Sequence, residues 1–160
     1  MATRFIFTPE SAHFPSSNFP PLTQVNRRPA LAFDAATDET AYWQAVAPQG
    51  FTGTVTAVVT YIMASATTGS VYWQGALEAI SDGDAVDLDA TTSFDTQNSG
   101  NGTVPGTAGY IDQISITMTN ADSIAAGDYF RLAINRDANN ASDTAAGDAY
   151  LLAVELRDGA

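Results

Sequence analysis

Period-2 alternation of apolar and polar residues dominates the chain. From Thr54 to Met63, Val55, Ala57, Val59, Tyr61 and Met63 alternate with Thr54, Thr56, Val58, Thr60 and Ile62, as in a strand with one buried face. Ser70 to Ile80 repeats the pattern, with Val71, Trp73, Gly75, Leu77 and Ala79 on one side and Tyr72, Gln74, Ala76, Glu78 and Ile80 on the other. The small polar connection Ala64 to Gly69 joins the two, and this long pair predicts the centre of a two-layer core. Shorter strands are predicted at Ala30 to Phe33 and at Ala41 to Ala47, the latter ended by Pro48, Gln49 and Gly50. Tyr110 to Thr119 (Ile114, Ile116 and Met118 inward), Tyr129 to Arg136 (Phe130, Leu132 and Ile134 inward) and Ala149 to Arg157 (Tyr150, Leu152, Val154 and Leu156 inward) complete the set. Phe94 predicts a short strand or a plug beneath a longer connection, and one helical turn is expected over Ala121 to Ala126, ended by Gly127.

About eight strands separated by turn signals, with no amphipathic helical run, predict an all-β antiparallel sandwich, and the long crossing loops favour a jelly roll. No internal repeat is present, which argues against a propeller or β-helix. Three polar intervals read as loops: the acidic Ser81 to Asp89, a glycine-rich and mobile 97 to 109, and Asp137 to Asp148.

Residues 1 to 29 differ from this body, residues 30 to 160. They hold five of the seven prolines, which disfavour helix. Phe5, Ile6, Phe7, Phe14, Phe19, Leu22 and Val25 nevertheless give the segment more apolar content than a disordered linker carries. An extended arm that docks its rings into pockets, on its own body or on a neighbour, accounts for both features. Burying one Phe contributes roughly 1.5 to 3 kcal/mol, against about 1 to 2 kcal/mol to fix each backbone residue. The arm is therefore expected to be mobile in the isolated subunit and ordered in an assembly.

Charge sharpens that expectation. The 160 residues carry a formal net charge of -12 with no Lys. Arg4, Arg27 and Arg28 against Glu10 give residues 1 to 28 a charge of +2, leaving -14 for the remainder. A basic arm on an acidic neighbouring subunit would use electrostatics to set direction and registration. Arg4, Phe5, Phe7, Phe14, Phe19, Arg27 and Arg28 are the predicted contacts to neighbouring subunits. So acidic a surface argues against binding nucleic acid. Cysteine is absent, which removes disulfides and thiolate chemistry. No run approaches the ~20 apolar residues of a membrane span, and no secretory h-region is read near Met1.

Candidate chemistry is sparse. His13, the single histidine, lies in the Pro-rich arm, a poor setting for a catalytic triad. Acids are plentiful, but they fall mostly in loops, with Glu78 set inside the long second strand of the central pair; the chain reads as a non-enzyme without a cofactor. Asp82, Asp84, Asp87 and Asp89, and secondarily Asp137, Asn139 and Asp143, are candidate calcium ligands, although their spacing does not match an EF-hand. Tyr42, Trp43, Tyr61, Tyr72 and Trp73 are candidates for a sugar-stacking platform. Adjacent pairs such as Tyr42 and Trp43 must face opposite ways, so one ring of each pair leaves the core to meet the arm, a neighbouring subunit or a sugar.

Leu31 to Ala41 (LAFDAATDETA), Ala64 to Trp73 (ASATTGSVYW) and Ala126 to Leu132 (AGDYFRL), leading to Arg136-Asp137 and Gly147-Asp148-Ala149, resemble a group of small structural proteins of tailed bacteriophages. The likeness covers roughly residues 30 to 157 and consists of turns and strand edges. It implies a jelly-roll virion component, assembled in the host cytoplasm, that sits on the capsid surface as a decoration or cement protein. The implied partners are the major capsid protein and neighbouring copies, commonly as a trimer. The alternative it leaves open is a host-attachment or carbohydrate-binding module of a tail or head fibre.

Overall fold

The computed structural model describes residues 1–52 and 54–159. Among them are ten strands: β1 (Ala2–Phe7), β2 (Leu22–Val25), β3 (Arg28–Phe33), β4 (Glu39–Val46), β5 (Val55–Met63), β6 (Ser70–Ile80), β7 (Asn98–Thr103), β8 (Asp112–Met118), β9 (Tyr129–Arg136) and β10 (Ala149–Asp158). They form two antiparallel sheets, one ordered β2-β3-β10-β5-β8 with β1 also on β10, the other ordered β4-β9-β6-β7. The all-β sandwich is thus as the alternation predicts. No helix among the described residues is long and apolar enough to cross a membrane.

The inward positions of both sheets make one core. Val59 pairs with Val154 and Ile114 in the six-stranded sheet, and Leu77 pairs with Leu132 in the other. Trp73 sits edge-on to Phe33 and Tyr61, with ring centroids at 5.0 and 5.6 Å. Arg136 continues the inward row of β9 and is fully buried, in a bidentate pair with Asp143 and donating to the carbonyls of Ala145 and Gly147 at 3.1 and 2.9 Å. That side chain ties the 137–148 loop to the end of the core.

Several expectations are corrected. Residues 1–29 do not form a separate arm within the subunit. β1 pairs with β10 from Ala2–Asp158 to Phe7–Val154, and β2 with β3 makes a hairpin in the same sheet. Phe7 is buried, stacked 5.6 Å from Phe5, and both rings meet Phe130 edge-on, while Phe7 lies 6.1 Å from Trp43. Arg4 bonds to Asp158 and to the Gly50 carbonyl. Arg4, Phe5 and Phe7 are spent inside their own subunit because β10 extends past β3 and offers β1 an open edge. Phe14 and Phe19 pack on each other at 5.4 Å and stay about 40% exposed, at 39% and 41%; Arg27 and Arg28 are exposed as well.

The segment read as a mobile loop at 97–109 contains β7, paired with β6 from Ser70–Thr103 to Gly75–Asn98. Its glycines serve close approach: a Cβ on Gly100 would stand 2.6 Å from the Ser115 carbonyl oxygen, where β7 and β8 meet and close one side of the sandwich. In β10 the inward row is Ala149 and Leu151, then Val154 and Leu156, because a register shift between Leu151 and Ala153 changes phase. Such a bulge turns Tyr150 and Leu152 outward, against the expected assignment. Tyr110 precedes its strand and is exposed. Residues 121–126 form no helix, since Asp122 and Ser123 take positive φ of 50° and 54°.

Candidate functional site

The outer face of the four-stranded sheet is where side chains converge. Register places Gln44, Arg131 and Glu78 in one row across β4, β9 and β6, with Tyr42, Ala133 and Ala76 in the next. Two small residues in the second row leave room above the sheet, and the chain uses it. Beyond the end of β7 the Thr92–Asp95 segment runs along the open edge of β6. Ser93 N–H donates to Glu78 Oε1 at 2.7 Å and Asp95 N–H to the Leu77 carbonyl at 2.8 Å. Phe94, clamped between those bonds, stacks on Tyr42 at 5.5 Å with 23° between the rings. The Arg131 guanidinium lies 4.8 Å from the Phe94 ring centroid, within cation–π range.

Glu78 is fully buried beneath this arrangement and paired with Arg131. Burial opposes its charge, but the Arg131 guanidinium and the Ser93 N–H outweigh that and hold the carboxyl below the usual range. The same pairing raises Arg131 above its ordinary value. The two remain ionised and cancel, so the site has a fixed dipole and no net charge of its own.

The opposite wall comes from residues 13–15. His13 exchanges both backbone hydrogen bonds with Tyr42, at 2.7 and 2.9 Å, and so extends the sheet past β4. Between the walls lies an open cleft of about 300 Å³, lined by His13, Phe14, Tyr42, Gln44, Phe94 and Arg131, with Thr92 at its rim. Tyr129 donates its hydroxyl hydrogen to Gln44 Oε1 at 2.9 Å, which leaves the Gln44 amide NH2 to a ligand. The His13 ring makes no hydrogen bond or ion pair among the described residues. Rings beside hydrogen-bonding side chains can hold a small polar molecule.

The sequence candidates divide accordingly. Tyr42 reaches the cleft, whereas Trp43 is buried and donates its Nε1–H to the Thr8 carbonyl at 2.9 Å. Tyr61 and Trp73 belong to the core; the Tyr61 hydroxyl is raised far above its ordinary pKa by burial and by its bond to Asp112. Asp82, Asp84, Asp87 and Asp89 are spread along an exposed loop, and no group of three or more His, Asp or Glu that could hold a metal is found among the described residues. Of the second calcium set, Asp143 is taken by Arg136, Asp137 by Gln74 and Asn140, and Asn139 by Asp38. Phe94 was legible as a plug, but Gln44, Thr92 and Arg131 were not singled out by the alternation. The available signal was Arg131 at an outward position of one strand and Glu78, a lone acid, at an outward position of another.

No family model matches the chain. No curated protein matches it either. Among solved structures it is similar to CBM35 from Cellvibrio japonicus Abf62, at 9% identity and a TM-score of 0.50, over 98% of this chain and 94% of that one. The likeness is one of fold, a jelly-roll β-sandwich.

Proposed function

We propose that this chain is a non-catalytic attachment module of a tailed-phage virion, binding a neutral saccharide of the host surface in the cleft on the four-stranded sheet. The observation that carries the reading is the cleft itself. Phe94, Tyr42 and Phe14 supply apolar ring faces, Gln44, Thr92 and His13 supply hydrogen-bonding groups, and the Arg131–Glu78 pair contributes no net charge. Its volume of about 300 Å³ falls at the lower end of small-ligand sites, roughly 300 to 1,000 Å³. Two further points support it: the fold is shared with a protein whose name marks it as a carbohydrate-binding module, and the sequence resembles virion components. Printed glycan arrays test the idea. Wild type should bind neutral saccharides saturably, and Phe94→Ala and Gln44→Ala should each weaken binding about tenfold or more while the fold persists. Absence of any glycan signal from folded protein would contradict it.

A second reading, decoration of the outer capsid surface, rests on the same resemblance and on the solvent-facing Phe14–Phe19 pair, the arm rings still available to a neighbour. Saturable binding to undecorated shells, weakened by Phe14→Ala/Phe19→Ala and indifferent to Gln44→Ala, would favour it.

A further inference from the structure

The chain has six arginines among eighteen acids. Four are matched inside the subunit: Arg4 by Asp158, Arg131 by Glu78, Arg136 by Asp143 and Arg157 by Glu155. Arg27 and Arg28 have no carboxylate partner among the described residues; Arg28 reaches only the Asn26 carbonyl, at 3.3 Å. They stand together, exposed, at the tip of the β2–β3 hairpin. Acids are not scarce on this surface, so their omission here is a feature of the site.

The turn that carries them is costly. Asn26 and Arg27 both have positive φ, 46° and 67°, the two-residue hairpin geometry in which Asn-Gly is the favoured pair. Asn suits its position, but an arginine with its Cβ occupies the place where glycine would be free of strain.

Beside the tip, the outer face of the six-stranded sheet holds an open groove of about 410 Å³ lined by Val25, Arg28, Ile62, Ile111 and Leu152. The β10 bulge turns Leu152 into it, and Ile111 is 66% exposed. The groove is therefore apolar along its floor and cationic at its rim.

The same chain presents the complement. Residues 81–91 are exposed throughout, and within them Asp82, Asp84, Asp87 and Asp89 flank Val86 and Leu88, which are 37% and 56% exposed. Leu88 borders Tyr129 and Arg131, on the sheet opposite to the groove. We infer that the groove receives the Asp82–Asp89 loop of a second copy of this chain, Val86 and Leu88 entering it while the aspartates meet Arg27 and Arg28. Donor and acceptor lie on opposite faces, so the contact is heterologous and propagates head to tail, as a ring if the rotation closes and as an open array if it does not. Charge pairing at the rim makes it salt-sensitive.

Sedimentation velocity over a concentration series tests this. Wild type should form oligomers that grow with concentration and recede at high salt. Arg27→Glu/Arg28→Glu should sediment as monomer, and so should Asp82→Arg/Asp89→Arg, which leaves the loop bonds of Asp84 and Asp87 intact. Mixing the two variants should restore association at least to the heterodimer, because the loop variant keeps Arg27 and Arg28 and the hairpin variant keeps the acidic Asp82–Asp89 loop that fits them. Arg27→Gly should raise the thermal midpoint while weakening association. A wild type that stays monomeric throughout, charge variants that associate like wild type, or a mixture that restores nothing would each overturn the inference; capture of a glycan or another protein in the groove of a monomeric chain is the first of these.

Discussion

Arg136 and Arg27 are the same side chain in opposite circumstances, and each marks its region. At the end of β9, Arg136 is enclosed, its guanidinium spent on Asp143 and on the carbonyls of Ala145 and Gly147. At the β2–β3 tip, Arg27 is exposed and held at positive φ with no carboxylate beside it among the described residues. Buried polar groups persist only when bonded, so the first arginine is explained by its own subunit. The second is not, and a charge kept at conformational cost and left unmatched points outward. The proline-rich segment divides along the same line: residues 2–7 pair with β10 and bury the Phe7 ring, while 26–28 face solvent.

The largest effect that could break this division is at the inward end. Deleting residues 1–7 removes β1, uncovers the β10 edge and leaves Asp158 without Arg4. It should cost more than about 3 kcal/mol in urea unfolding, since the buried Phe7 ring and the partly buried Phe5 ring go with it. An unchanged midpoint would restore the picture of a loosely tethered arm. Arg136→Met should come next, at about 3 to 5 kcal/mol, because Asp143 is then buried without its countercharge.

Acid should act through Glu78 and Asp158. Burial opposes the charge of each, but Arg131 with Ser93, and Arg4 with Thr52, outweigh it and depress both pKa values. A carboxylate whose folded pKa is lowered contributes stability above its unfolded pKa, near 4, and loses that contribution as pH falls through the folded value. Stability should therefore decline below about pH 4, and Glu78→Gln should flatten the decline while lowering stability at pH 7. Hydrogen exchange should show the Ser93 and Asp95 amides losing protection in that variant. At the outward end the sign reverses: Arg27→Gly should gain about 1 kcal/mol by relieving the left-handed backbone.

How much of this the sequence carried depends on which physical signal each part uses. Strands β5, β6, β8 and β9 are legible because each buries one face, and period-2 alternation records it. β7 is not, since Asn98-Ser99-Gly100-Asn101-Gly102-Thr103 pairs through its backbone and needs small side chains where β8 approaches. The bulge at Leu152 is equally silent, an extra residue among apolar neighbours that alternation alone assigns to the wrong face. Phe5 and Phe7 were recognisable as anchors, but side-chain burial weighed against backbone ordering undervalued them. It left out the strand pairing with β10 and the Arg4–Asp158 pair, both contacts of residues some 150 positions apart. The cleft depends on residues 92–95 running along the open edge of β6, which no local pattern encodes.

The two outer faces also give the account its sharpest test. Amide chemical shifts of the protein, followed by NMR as the strongest-binding neutral saccharide is added, should move at Tyr42, Gln44, Thr92, Phe94 and Arg131, with Val25, Ile62, Ile111 and Leu152 left in place. Shifts gathered instead around the groove on the six-stranded sheet, or none at saturating saccharide, would contradict the assignment of the binding face.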